Sequence, residues 1–545
     1  MWTHSPERTS DRRTAAATLP IQDYRLLLAL ALAVSLALLL TAPLRAQEVE
    51  RRTMELSLRE AVSLALQRNF DIQIRGLDNE SAYGNLIGAN AVYDYTFFAD
   101  FGFNRHAERS FSSFRGSETH YQDISMRLSR RLFTGADVST SLYMRRSGSN
   151  SITSSINPMF NDTWSIGVSQ PILRDFGKLA TERQIIINSN NVDISEADFE
   201  NQVVATLVDL MTRYWDLVSF YDALEVAEDA LALAREQLEI NRVKVNVGTL
   251  PPIEIVSAEE RVASAEADLV DAQANLQRAE DRLKQAIVME DWAVRIVPTD
   301  SLEEPEELDV DFGESLETAL ENRPEMRRLE LQIDNNEVSI SYARNQLLPS
   351  LNLTADVALF SFGGNFIPNP LFAPEPPPGL PLSFVSTLRD VFDGTNHDWT
   401  IGANFTYIFG NSTARSSMMV NQVQRRQNAL RIEQTRYDIA VEVRSAIREL
   451  EISITQLEAR RRALTYAERQ LEAEQRKFAV GSSTNFQVLE YQNRLATARY
   501  NVILALARYQ RALVDYDRAT GTMLDSNNVV IETRSEGGVG ALVRH

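Results

Sequence analysis

Two stretches of the chain, residues 178–247 and 411–480, run for seventy residues each without a glycine or a proline. Gaps of that length in the two main helix breakers predict two unusually long helices. Apolar residues recur in them every seven positions, at Leu217, Leu224, Leu231, Leu238 and Val245, and again at Leu450, Leu457, Leu464, Leu471 and Phe478. Small residues at Ala227 and Ala234 fill the intermediate seam, so the spacing is that of a coiled coil. Seventy helical residues reach about 105 Å. Each stretch ends at a glycine, Gly248 or Gly481, and a second helical pattern follows at once over 253–288 and 485–520. The pattern predicts two antiparallel helical hairpins with those glycines at their tips. Pro251 and Pro252 stiffen the first turn and start its returning helix.

Ahead of the long helices the period changes from seven to two. In Tyr121–Leu132, Ile124, Met126, Leu128 and Leu132 share one face, while Asp123, Ser125, Arg127 and Ser129 share the other. Trp399–Tyr407 alternates in the same way, as do 95–103, 137–145, 164–172 and 351–359. Each run alone is equally a half-buried strand of a soluble sheet. Six of them, about ten residues long with aromatic ends, predict a transmembrane barrel between lipid and a wet lumen. Arg105–Thr119, Ser147–Asp162 and the proline-rich Phe362–Pro381 have the composition of surface loops between them.

The N-terminus supports that reading. Leu26–Leu40 is a run of fifteen apolar residues, preceded by Arg25 and followed by Thr41–Ala46. As a helix it spans about 22 Å, short of a bilayer core of about 30 Å. Residues 1–46 therefore read as a cleavable secretory signal, with an uncleaved anchor as the other reading. No later apolar run approaches the length of a spanning helix, so a membrane crossing has to use strands. The formal charge of −20 argues against a nucleic-acid partner. The chain has no cysteine, which excludes disulfides, thiol chemistry and lipidation at the signal junction.

The chain also repeats itself. Sliding residues 56–72 by 254 places Ala65-Leu66 on Ala319-Leu320 and Asp71 on Glu325. A second offset, of 233, places Gly177 on Gly410, Leu217 on Leu450 and Val247-Gly248-Thr249 on Val480-Gly481-Ser482. The offsets differ by 21 residues, so copy one carries extra chain between 95 and 177. The expected organisation is signal 1–46, repeat one 54–288, an acidic inter-repeat segment 289–311, repeat two 312–522 and a flexible tail 523–545. Within 289–311, Ala293–Val297 reads as a short strand and Leu302–Asp311 as either a belt or a solvated linker.

With these features assembled, the chain resembles the TolC-like outer membrane efflux protein family. The likeness is carried by LREAVSLALQRN at 58–69, SQPILRDFGK at 169–178 and the two Val-Gly-Thr/Ser tips. It covers roughly residues 54–522. The resemblance implies an α+β membrane protein: a β-barrel built from several subunits that continues into a long α-helical coiled-coil tunnel. It implies a homotrimer in outer-membrane lipid, with a periplasmic tunnel coupled through an adaptor (membrane fusion) protein to an inner-membrane pump. The function implied is the exit duct of a tripartite efflux or type I secretion system. Family members commonly give four strands per subunit. The turn Phe133–Asp137 in the extra chain either raises this to six or belongs to a hairpin folded elsewhere.

No catalytic constellation is present. There is no P-loop, and His106, His120, His397 and His545 lack metal-ligand spacing, so no enzyme activity, cofactor or metal is expected. The hairpin tips are the functional candidates. By motif position, Glu254 and Gln487 match one acidic family position beyond the glycine, and Ser257 and Glu490 match the next. Three-fold repetition of Glu254 and Glu490 would ring a mouth with carboxylates and favour cations; ordinary helix-start acids are the plainer reading. Phe478 and Ser483 stand where some members carry a Tyr and an Arg that lock the mouth. A periplasmic adaptor or a structural coiled-coil protein are the alternative functions. An adaptor would show one hairpin inside a divided β-domain, and a coiled coil would leave the six alternating runs unexplained.

Overall fold

A computed structural model describes residues 52–302 except 110–113 and 115, residues 310–532 except 371–372, and the backbone of 542–544. The expected signal, and Glu303–Asp309 of the acidic segment, lie outside the described residues. A small unit takes in Thr53 and Ala293–Arg295, and the main unit comprises Met54–Trp292 and Ile296–His545. The main unit holds the large sheet and the long helices.

Six strands form one sheet: β1 (Thr96–Ala107), β2 (Glu118–Arg131), β3 (Asp137–Ser149), β4 (Ile156–Pro171), β5 (Ser350–Phe366) and β6 (His397–Thr406). They pair antiparallel in chain order, so the β4–β5 ladder joins copy one to copy two. The six alternating runs of the sequence are these six strands. The extra chain of copy one is the β2–β3 hairpin, which sits inside the sheet and is not folded elsewhere.

The strands are longer than the alternation suggested. Of the three stretches read as loops, β1 extends to Ala107, β3 to Ser149 and β5 to Phe366, while Asp162 lies within β4. One cross-strand row carries Phe97, Leu128, Thr140, Ile166, Val357 and Trp399 on a single face. The neighbouring rows on that face are likewise mostly apolar, whereas the opposite face carries Asp123, Ser141, Ser165 and Asn404. A proline-rich loop was expected before β6. Just after that stretch, Phe362–Pro381, the chain folds back as a short helix, α7 (Phe384–Phe392), on the apolar face. Phe384 meets Phe160 with ring centroids 5.7 Å apart, and Phe392 meets Trp164 at 5.5 Å. Ser361 Oγ donates to Asp390 Oδ2 at 2.7 Å.

The helices show the duplication in their lengths. Copy one has α1 (Leu58–Arg68), α2 (Phe70–Asn90), α3 (Lys178–Asn246) and α4 (Ile253–Ala286); copy two has α5 (Phe312–Asn322), α6 (Pro324–Asn345), α8 (Ser412–Ala479) and α9 (Asn485–Thr520). The starts of α1 and α5 are capped at equivalent positions, by Ser57 with Glu60 and by Asp311. The long helices, of 69 and 68 residues, each extend about 100 Å. Among the described residues no helix is long and apolar enough to cross a membrane.

The seams lie where the heptads put them. Leu207, Leu210 and Leu217 of α3 pack with Leu276 and Leu283 of α4 and with Ala61 and Val62 of α1. Ile439, Val443 and Ile447 of α8 pack with Met326 and Leu329 of α6 and Ala319 of α5. Nearer the tips, Leu231 and Ala234 close on Ala265, and Leu471 and Phe478 close on Val488 and Leu495. A short strand does follow α4, at Arg295–Pro298. The flexible tail requires a correction at its start: Met523–Ser526 is helical, and Met523 is fully buried in the core.

Candidate functional site

The two tips are copies of each other down to their hydrogen bonds. Gly248 and Gly481 have φ of 78° and 79°, the left-handed region in which a Cβ is strained. In copy one the Thr249 N–H donates to the Lys244 carbonyl at 2.8 Å; in copy two the Ser482 N–H donates to the Lys477 carbonyl at 2.9 Å. A left-handed residue thus turns each chain back into its returning helix within a few positions.

Beyond the turns the copies differ, and the difference joins them. Asn485, at the first position of α9, is almost fully buried. Its Nδ2 donates to Glu254 Oε2 of copy one at 2.9 Å, and its Oδ1 accepts from Gln237 Nε2 at 3.2 Å. Gln237 Nε2 also reaches Asn241 Oδ1 at 2.9 Å, and Asn241 Nδ2 donates to the Glu254 carbonyl at 3.3 Å. Lys244 adds a second link: Nζ donates to the Phe478 carbonyl at 3.2 Å and stands 3.5 Å from the centre of the Phe478 ring. Buried amides are costly to leave unpaired, so this cluster specifies how the two hairpins meet.

The four candidate residues separate on this geometry. Glu254 is half-buried and belongs to the bridge. Glu490 does not; its Oε1 accepts from Arg494 Nε at 2.9 Å, one turn along α9. Such an exposed pair contributes about 0–1 kcal/mol, yet it sets a positive charge beside that carboxylate. Gln487 and Ser257 are exposed, and Gln487 Oε1 lies 3.0 Å from Ser483 Oγ. Ser483 turns inward along its own hairpin and donates to Glu474, while Phe478 takes part in the link to Lys244. Phe478 and Ser483 therefore both make contacts at the tips, one to the other hairpin and one within its own.

Hydrogen bonds from Ser483 and then Lys477 hold the Glu474 carboxyl below its ordinary value. A lowered carboxyl stabilises the fold above the ordinary carboxylate range, and that contribution is lost as pH falls through the lowered value. Hydrogen exchange over residues 478–487, corrected for intrinsic rates, should therefore show protection falling between neutral pH and about pH 3. In Ser483→Ala most of this acid dependence should vanish; an unchanged profile would mean that Glu474 does not hold the tip.

The profile of the outer membrane efflux proteins matches residues 136–287 and 315–522, from the sheet through both hairpins. The chain belongs to the outer membrane efflux protein family. Solved channels share the fold of this efflux protein. The CmeC outer membrane channel of Campylobacter jejuni aligns with a TM-score of 0.59 and 17% identity over 86% of each chain. The MtrE outer membrane channel of Neisseria gonorrhoeae aligns at 0.60 and 16%, over 86% of this chain and 89% of its own. CusC aligns at 0.62 and 14%, over 86% of this chain and 93% of its own. A comparison with curated protein sequences finds no significant match. Family membership makes this an outer-membrane efflux protein.

Proposed function

We propose that three copies close one barrel and one tunnel, forming the exit duct of a tripartite efflux or type I secretion system. In this reading an inner-membrane pump loads the duct through a periplasmic adaptor, and the hairpin tips form the periplasmic mouth. The observation that carries it is the sheet itself. It has one apolar and one polar face and two open edges, and such edges cannot face lipid. A single chain therefore needs partners to cross the membrane. The family supplies the number three.

At the mouth, Glu254 and Glu490 are the proposed selectivity residues, with Glu254 also holding the hairpins together. Purified protein in planar bilayers is expected to be trimeric, conducting and cation-selective, and to be blocked by divalent ions. Glu254→Gln with Glu490→Gln should lower both cation selectivity and divalent block while trimers persist. The same replacements at Glu225 and Glu458, far from the tips, should change neither. A soluble monomer without conductance would overturn the channel reading; unchanged selectivity in the tip variant would reduce the two acids to helix-start residues.

A further inference from the structure

The barrel that three such sheets can form differs in width from one with four strands per subunit. Resting on the trimeric channel reading, we infer that β6 of each copy pairs with β1 of the next to close an eighteen-stranded barrel whose bore matches the helical tunnel. Three copies of six strands give the eighteen.

The edges fit this closure. Six strands alternate in direction, so β1 and β6 run oppositely, and a β6-to-β1 junction between copies is antiparallel like every other ladder in the sheet. Their lengths agree, at 12 and 10 residues. Facing agrees too. Phe97, Phe101 and Phe103 on β1 share the apolar face with Trp399, Ile401 and Phe405 on β6, and all six are exposed in the single chain. Joining the edges continues one apolar band and hides both rows of unpaired backbone groups.

The inserted hairpin cannot be left out of the wall. β2 and β3 lie between β1 and β4, paired over their full lengths. On the polar face Asp123 of β2 accepts from Tyr143 Oη of β3 at 2.8 Å and pairs with Arg145 at 2.5 Å. A four-stranded wall would require breaking two ladders, β1–β2 and β3–β4, and pairing β1 directly with β4.

Width is what the insertion supplies. Strands about 4.8 Å apart and tilted by about 40° give eighteen strands a circumference of about 113 Å, against about 75 Å for twelve. Four long helices per chain, α3, α4, α8 and α9, make twelve in a trimer. At about 9.5 Å between axes they enclose about 114 Å. Barrel and tunnel then share a mean diameter of about 36 Å, so the duct has no neck at the membrane and its narrow point is left to the tips.

The absence of cysteine allows a direct test. Lumen-facing cysteines would be introduced at Asp100, Gly102 or Asn104 on β1, each combined with Thr400, Gly402 or Asn404 on β6. Oxidation of outer membranes carrying these double variants should give covalently linked trimers for the pairs in register. Ser139→Cys or Ser141→Cys on β3, combined with the same β6 positions, should give none. Electron-microscopic end views of native trimers should show a barrel wall about 36 Å across. Trimers with β3–β6 links, with no β1–β6 link, or with a wall about 24 Å across would overturn the inference and leave the trimeric channel standing. Monomers alone would instead overturn the channel reading beneath it.

Discussion

Leu217→Asp is expected to abolish assembly of the protein in the outer membrane. Leu217 is fully buried in the core where α3 meets α1 and α4. Removing a buried leucine side chain costs about 2–5 kcal/mol. A carboxylate left there without a partner adds several kcal/mol, enough to consume most of a typical folding stability of about 5–15 kcal/mol. Leu231→Asp should act similarly, because Leu231 is also buried, on Ala265. Leu464→Asp should be milder, since that side chain is only partly buried. The exposed Glu236 provides the control, and Glu236→Ala should leave assembly near the native level. Quantifying trimers in outer-membrane fractions checks the series. Equal tolerance at Leu217 and Glu236 would mean that the heptad faces have been assigned the wrong way round.

The second large effect is expected at the junction of the hairpins. Asn485→Ala removes the donor to Glu254 and the acceptor for Gln237, leaving a half-buried carboxylate and a buried amide each short of a partner. Hydrogen bonds to charged groups contribute about 1.5–3 kcal/mol, so the ratio of closed to open mouths should fall about tenfold or more. Single-channel recordings would show this as longer or larger openings. Adding Lys244→Ala, which cuts the link to Phe478, should open the mouth further. Because Asn485 and Lys244 lie far from the sheet, the barrel should be untouched and trimer yield unchanged. Native conductance in the double variant would locate the closure of the mouth elsewhere.

The sequence shows the long helices and the sheet for a simple reason. Local pattern decides both: seventy residues without a breaker have few alternatives to a helix, and a two-residue period has few alternatives to a strand. Where pattern weakens, legibility ends. The outer parts of β3 and β4 carry Arg145, Arg146, Asn161 and Asp162, which interrupt the alternation and hide the strand. Helix α7 follows a proline-rich stretch, and its place is set by Phe160 and Trp164, more than two hundred residues earlier. At the tips, the glycines and Glu254 stand out as motif positions. Asn485 does not, because an asparagine at a helix start is ordinary until its partner is known. Gln237 and Asn241 did leave a trace, as two polar residues one turn apart beside the seam residue Leu238. Nothing local says that the group they face comes from the other copy.

The open edges of the sheet bear on how the protein is made. Barrels of a single chain can zip shut on their own, in an order fixed by their sequence. A six-stranded strip has no such private route, and it carries aromatic side chains along both raw edges before it meets its partners. In the proposed trimer, membrane insertion is a rendezvous of three molecules, whose rate climbs steeply with their local supply. When synthesis slows, each strip waits longer in the periplasm with its edges bare, within reach of proteases and of the wrong strands.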